Sequence, residues 1–340
     1  MNDVRLIAFY LPQFHPIEEN DAWWGKGFTE WTNVSSARPV FPGHYQPHVP
    51  ADLGFYDLRM EEAREQQARL ARDFGIYGFC YYYYYFNGKR LLNKPLDMVL
   101  ASGKPDFPFC ICSANENWTR NWDGRENEIL IEQVHSPDSD LEFIREIVPV
   151  LSDKRYIRVD NKLLLLIYRT ELLPDPAKTA ALWREYIRKE IGEELFLCTV
   201  NNFVKDFDPT SVGFDGAVQF PLSVKGDCFI DTRLIASMNQ VDYEEIKGNH
   251  FVNSPSAVNQ FVSLPKPGYP LFRGVLPSWD NTPRRQNNSA IFINSSPEIY
   301  KLYLKAVLEL TRAEHTGDQR LVFINAWNEW AEGAHLEPDK

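Results

Sequence analysis

Hydrophobic residues come along this chain in short dense runs, separated by stretches of helical period. Residues 5–11 predict a first strand, ended by Pro12. Further apolar, β-branched or aromatic runs predict strands at 77–85, 107–113, 162–168, 195–200, 216–220, 270–276 and 321–327. Between them lie helical patterns. Residues 57–74 place Ala63, Gln67, Leu70, Ala71 and Phe74 on one stripe, with Gly75 as the stop. A short helix over 91–101 is closed by Gly103, and further helices are expected over 137–151 and 177–191. The last, over 296–315, has Pro297 in its first turn and Ile299, Leu302, Ala306 and Leu310 on its stripe. Two stretches break the rhythm: 14–50, a loop rich in Pro, Gly and aromatics, and 221–267, long and irregular. A loop as long as the first, so dense in Trp and Tyr, points to a packed, site-building segment.

Eight buried-type strands, mostly separated by helices, make the count of an α/β fold of the (β/α)8 TIM-barrel type, here with long βα loops. No repeat, low-complexity tract or linker interrupts the pattern, so one domain over 1–340 is expected, without the helix that would close the barrel after strand eight. The alternative is a doubly wound sheet, but no G-x-G-x-x-G follows strand one. P-loop and H-E-x-x-H motifs do not occur either.

Polar and aromatic residues gather where strands end. Tyr10, Gln13 and His15 close the first strand, and Asn115, Glu116, Asn117, Trp118 and Arg120 follow the third. Tyr168 and Arg169 end the fourth, Asn201 and Asn202 the fifth, and Trp279, Asp280 and Asn281 the seventh. The eighth delivers Trp327, Asn328, Glu329 and Trp330, while Trp24, Glu30 and Trp31 come from the long loop. Any one cluster is also ordinary turn chemistry. In a barrel, however, all of them share the face that carries active sites.

The last cluster is the densest. The apolar run Leu321-Val322-Phe323-Ile324 changes abruptly into carboxylates, amides and indoles. Strand parity places Asn325, Trp327 and Glu329 on one face, and the turn at Gly333 folds Glu332 back toward Glu329. Paired carboxylates amid indoles are equipment for acid–base work on a glycosidic bond. The competing reading is an acidic, Trp-rich loop that caps the core.

Composition narrows the partners. A net charge of −11 disfavours nucleic acid. Nine Trp and 16 Tyr, many beside Asn, Asp or Glu, suit stacking on sugar rings, so an oligosaccharide or polysaccharide is the expected partner. Cys80, Cys110, Cys112, Cys198 and Cys228 are odd in number and sit mainly in apolar runs, which fits buried free thiols in a reducing compartment. The N-terminus resembles a first strand, not a signal peptide, and no apolar run approaches membrane length, so a cytoplasmic protein without membrane insertion is expected. His15, His44, His48 and His335 are scattered without metal-ligand spacing, so no metal and no cofactor are expected. Arg120, Arg125 and Arg273 fit a phosphate or acidic sugar less well than structural ion pairing. Oligomeric state leaves no trace in the sequence.

Four stretches together, FYLPQFHPIEENDAWWGKGFTEWTNV, CSANENWTRNWDG, FRGVLPSWDNTPRR and FINAWNEWAEGAHLEPD, resemble the WbsX proteins. These are described as glycosyltransferases of surface-polysaccharide gene clusters, and their domain is related to glycoside hydrolase family 99. The resemblance covers nearly the whole chain and implies a (β/α)8 barrel. Family 99 enzymes are endo-acting α-mannosidases whose motif, NEWHEG followed by IEP, is similar to Asn328–Gly333 and Leu336-Glu337-Pro338. Ala331 stands where that motif has a histidine, so the resemblance does not carry over the substrate-subsite details of family 99. The resemblance implies that Glu329 is the base that draws the proton from a sugar 2-hydroxyl, giving a 1,2-anhydro intermediate, and that Glu332 is the general acid/base. It further implies a retaining hydrolase of manno- or rhamno-configured bonds. A transferase of O-antigen or surface-polysaccharide biosynthesis is the alternative, although no D-x-D has a phosphate-binding surround, and Asp138-Ser139-Asp140 sits at a helix start as its cap. A non-catalytic carbohydrate-binding protein is the third possibility.

Overall fold

The computed structural model describes residues 3–120, 125–201, 207–285 and 288–340, with the side chains of 120 and 125–127 outside that description. Parallel pairing runs from β1 (Arg5–Tyr10) to β2 (Gly78–Phe86), β3 (Phe109–Ser113) and β4 (Lys162–Ile167). It continues through β5 (Leu195–Asn201), β6 (Gly216–Gln219), β7 (Leu271–Val275) and β8 (Leu321–Ile324), which returns to β1. The ring is closed, so the fold is a (β/α)8 barrel and the doubly wound alternative falls.

The outer layer comprises α1 (Glu61–Asp73), α2 (Lys94–Ser102), α3 (Pro137–Leu151), α4 (Pro176–Ile191), α5 (Ser254–Val262) and α6 (Pro297–Glu314). Among the described residues between β5 and β6 there is a 3-10 turn, Pro209–Val212, in place of a helix. Two expected stripes are shifted. On α1 the buried positions are Arg64, Gln67, Ala68 and Ala71, and Phe74 is 79% exposed. On α6 they are Tyr303, Val307 and Thr311, leaving Leu302 63% exposed.

The pleat sorts the tyrosines of β2. Tyr82 turns inward, where it joins Phe9, Phe220 and Phe323; Phe9 has its centroid 5.4–5.7 Å from these rings. Tyr81, Tyr83 and Tyr85 turn outward, the last two against Phe143 of α3. The loop after β1 holds two short helices, Glu18–Trp24 and Glu30–Ser36. The irregular section after β6 contains helices Thr232–Asn239 and Tyr243–Ile246, then the α5 helix. Strands Phe229–Ile230 and His250–Asn253 pair there with Ala290–Ile293 from the loop after β7. This small sheet has its own apolar cluster around Ile235, Phe251 and Ile291, and it anchors the β7 loop over the barrel mouth. Among the described residues no helix is long and apolar enough to cross a membrane.

Candidate active site

One arginine gathers three carboxylates at the mouth of the barrel. Arg284, in the loop after β7, donates from Nε to Glu30 Oε1 at 2.7 Å and from one terminal nitrogen to Glu329 Oε2 at 2.8 Å. Its other terminal nitrogen donates to Glu332 Oε1. Each acid comes from a different turn of chain: Glu30 begins the second short helix, Glu329 lies just past β8, and Glu332 ends the 3-10 turn Trp330–Glu332. Gly333 follows at φ 59, and a Cβ there would approach Asp280 N at 3.0 Å. The turn therefore fits closely under the Asp280 backbone, whose N–H donates to the Glu332 carbonyl at 2.7 Å.

Burial governs the charge state here. It pushes Glu329 up to about 8 against the opposing pull of Arg284, and the neighbouring charges of Glu332 and Glu30 push further. Glu332 is raised for the same first reason, again against Arg284. With Glu329 and Glu332 both raised and linked through Arg284, this pair holds a proton near neutral pH.

A second polar knot lies beneath. Glu337 accepts from Trp330 Nε1 at 2.6 Å, Gln67 Nε2 at 2.6 Å and Tyr56 OH at 2.7 Å. Burial nevertheless raises it to about 7. Asn328 clamps β1 to the segment after β8, accepting from Leu11 N at 2.7 Å and donating to Leu11 O at 3.0 Å. Trp31 packs against Trp330 at a tilt of 55°, with centroids 5.5 Å apart, and donates to Tyr56 O.

Above this base opens a cleft of about 220 Å³ walled by Gln13, Tyr82, Tyr84, Glu116, Asn117, Trp118, Tyr168, Phe220 and Trp279, with Arg284, Glu329 and Glu332 at its floor. Trp118 and Tyr84 stack at 5.4 Å and 29°. Gln13 presents a buried amide nitrogen with no partner among the described residues. Indole and phenol faces beside unsatisfied amides and acids suit a polyhydroxylated ligand.

The chain matches the family described as "Glycosyltransferase WbsX" over residues 6–340. It belongs to the WbsX glycosyltransferase family. Two relatives, both named "Uncharacterized protein WxcX" and from two strains of Xanthomonas campestris pv. campestris, are each 46% identical to it. The match covers 98% of this chain and 47% of either relative, so the chain spans about half the length of the curated relatives it matches. Among solved structures, the GH99 endo-alpha-mannosidase from Bacteroides thetaiotaomicron superposes with a TM-score of 0.57 at 17% identity, covering 99% of this chain and 88% of that one. A "Glycoside hydrolase-like protein" superposes with a TM-score of 0.59 at 15% identity, covering 100% and 88%. At these identities the likeness is one of fold.

Within this WbsX-family barrel the expected site residues divide into three groups. Glu329, Glu332, Gln13, Glu116, Asn117, Trp118, Tyr168 and Trp279 meet in the cleft, with Glu30 behind Arg284. Glu116 pairs with Arg169, and burial raises its pKa. A second group braces the cleft. Asn115 holds the Arg169 backbone at 2.8 and 2.9 Å, and Asn281 accepts from Ala290 N at 2.8 Å. Asp280 accepts from His44 Nε2 at 2.7 Å and Gln46 Nε2 at 2.6 Å. Trp31, Asn328, Trp330 and Glu337 belong to the knot below.

The third group lies away from the cleft and corrects the sequence-based expectation. Tyr10 points outward from β1 and donates to Gln67 Oε1 at 2.7 Å. Arg273, also a candidate for binding substrate, points outward from β7, fully buried and bound to Glu314 on α6 at 2.6 and 2.9 Å, the structural pairing that its sequence favoured over an anion site. Trp327 packs on Phe79 at 5.2 Å, on the opposite side from Glu329. Regular pairing stops at Ile324, so parity does not carry through to Glu329. His15 is buried beside the Pro12 carbonyl, and burial lowers it to about 4. Trp24 packs against Phe28, and Asn201 ends β5 outside the cleft wall. The Arg120 side chain and Asn202 fall outside the described residues. Arg284 is the residue that sequence reasoning passed over. Its signal was slight: a Pro-Arg-Arg step in a polar loop.

Proposed function

We propose that this chain is a carbohydrate-active enzyme that cleaves manno- or rhamno-configured glycosidic bonds with retention, in a polysaccharide substrate. The observation that carries the reading is the Arg284 fork, which holds Glu329 and Glu332 side by side at the floor of an aromatic cleft.

In the proposed sequence Glu329 takes the proton of the sugar O2–H, and O2 attacks C1. The bond from C1 to the leaving oxygen breaks, and that oxygen takes a proton from Glu332. Water then attacks C1 and gives its proton to Glu332, while the C1–O2 bond opens and O2 recovers its proton from Glu329. Burial suits Glu332, which keeps its proton longer and so stays available as the acid. Glu329, raised to about 8, is a stronger base than usual but acts only in the fraction that has lost its proton, so the proposed reaction gains from pH values approaching 8. Buried free thiols support a reducing, cytoplasmic setting.

The test is product analysis after incubation in 18O-water with α-mannan and α-L-rhamnan oligosaccharides. The expected result is label at a new reducing end, with retained configuration, absent in Glu332→Gln. An inverted first-formed product overturns the mechanism. The family description supports a second reading, glycosyl transfer in surface-polysaccharide assembly. Chain extension from GDP-mannose or dTDP-rhamnose, without cleavage in their absence, would select it.

A further inference from the structure

We propose that His48, His335 and Asp339 form a binding site for one zinc-type transition-metal dication, tying the loop before α1 to the end of the chain. The residues are far apart in sequence, yet their ligand atoms lie within 4.8 Å of one another. His48 Nδ1 is 2.8 Å from His335 Nε2, and Asp339 Oδ2 is 3.8 Å from the first and 4.0 Å from the second. Tetrahedral zinc with bonds near 2.0–2.1 Å needs neighbouring ligand atoms about 3.3 Å apart. The imidazoles must therefore part slightly and Asp339 must swing in. A third of the Asp339 side chain is exposed, and its swing toward the imidazoles gives up the hydrogen bond from the Tyr45 hydroxyl.

The rings are already held for this. His335 Nδ1 lies 2.9 Å from the Glu337 carbonyl oxygen, so that nitrogen carries the proton and donates, and the Nε2 lone pair faces His48. A backbone carbonyl that orients the far nitrogen is the usual support of a metal-bound histidine. Trp330 stacks on His335 at 3.8 Å and 12°, and Tyr45 stacks on His48 at 4.5 Å and 27°. The two segments are aligned by Ala51 N donating to Pro338 O at 2.9 Å and Lys340 N donating to Val49 O at 3.0 Å.

Without metal, the short contact requires His48 Nδ1–H to donate to His335 Nε2. On binding, the cation takes the place of that proton; His48 changes tautomer, its proton passing to Nε2 by exchange through solvent, and both facing lone pairs bind the cation. Two imidazoles and one carboxylate suit zinc, cobalt or nickel, and not calcium or magnesium, which take oxygen shells. The fourth position faces a groove of about 830 Å³ walled in part by the same three residues, with room for water or a small anion.

The experiment is titration of chelator-stripped full chain with zinc by calorimetry, with metal counted after gel filtration, and with cobalt followed by visible absorption. The variants are His48→Gln and Asp339→Asn, which leave the Trp330–His335 stack in place; circular dichroism checks their fold. Expected are one zinc per chain, intense tetrahedral cobalt bands, and affinity at least about tenfold weaker in each folded variant. No stoichiometric zinc in the wild type, or equal binding in wild type and variants, overturns the proposal and leaves a direct imidazole–imidazole hydrogen bond.

Discussion

Arg284 sets the chemistry of three acids, and its removal separates charge from scaffold. Its positive charge pulls both Glu329 and Glu332 down against burial. In Arg284→Gln both carboxyls rise further, so the limbs of the kcat/KM against pH profile move to higher pH. A profile that stays in place would show that the guanidinium does not tune these groups. Glu329→Gln and Glu332→Gln should each lower kcat/KM by about 10²–10⁴ on the cleaved oligosaccharide, the usual scale of a positioned acid or base. Glu337→Gln acts on stability. Its carboxylate accepts three donors, and an amide NH2 in one of those places faces another N–H. The expected cost is about 1–3 kcal/mol in urea unfolding, the penalty of a buried polar group left unsatisfied.

At the scale of elements, β6 and β7 approach closely at Gly274. A Cβ on Gly274 would lie 2.1 Å from the Gln219 carbonyl oxygen and 3.0 Å from Pro221 Cδ. Gly274→Ala must push these strands apart and disturb the Tyr303 hydroxyl, which donates to the Gly274 carbonyl at 3.0 Å. A loss of about 1–3 kcal/mol or more is expected. Gly268→Ala, with nothing within 4 Å, should stay within about 0.5 kcal/mol. The same tightness explains what could be read from the sequence. Strands buried on both faces write themselves as apolar runs, so β4 and β8 were legible, expected over 162–168 and 321–327 and observed over Lys162–Ile167 and Leu321–Ile324. Apolarity does not say which helix face is covered, so exposed Phe74 and Leu302 misled the stripes of α1 and α6. Glu329 and Glu332 were legible because carboxylates amid indoles are unusual. Arg284 was not, because its position depends on the small sheet that pairs Ala290–Ile293 with His250–Asn253. His48 and His335 meet across 287 residues, a distance that local spacing rules do not span.

Over the whole molecule, the buried titratable groups pull stability in opposite directions with pH. A carboxyl raised by folding holds a proton that the unfolded chain has released, so stability falls as pH climbs from the unfolded value to the folded one. Glu337, at about 7, and Glu329, at about 8, both started from 4.5 and act this way. A histidine lowered by folding does the reverse, and its contribution rises with pH until the unfolded ring has lost its proton. His15 and His335, each at about 4 against an ordinary 6.5, oppose the glutamates most strongly below 6.5 and fade over about one further pH unit as the unfolded rings finish losing their protons. The window from 6.5 to 8 is therefore dominated by the glutamates. Across it the free energy of unfolding should drop by an amount on the order of 1–3 kcal/mol. The double variant Glu329→Gln, Glu337→Gln should lose most of that slope while starting from a lower stability. Denaturant unfolding at the two ends of the window, for both proteins, measures it. Equal slopes would mean that the native carboxyls are already ionised at 6.5. The site would then have to draw its acid from the substrate complex and not from the resting fold.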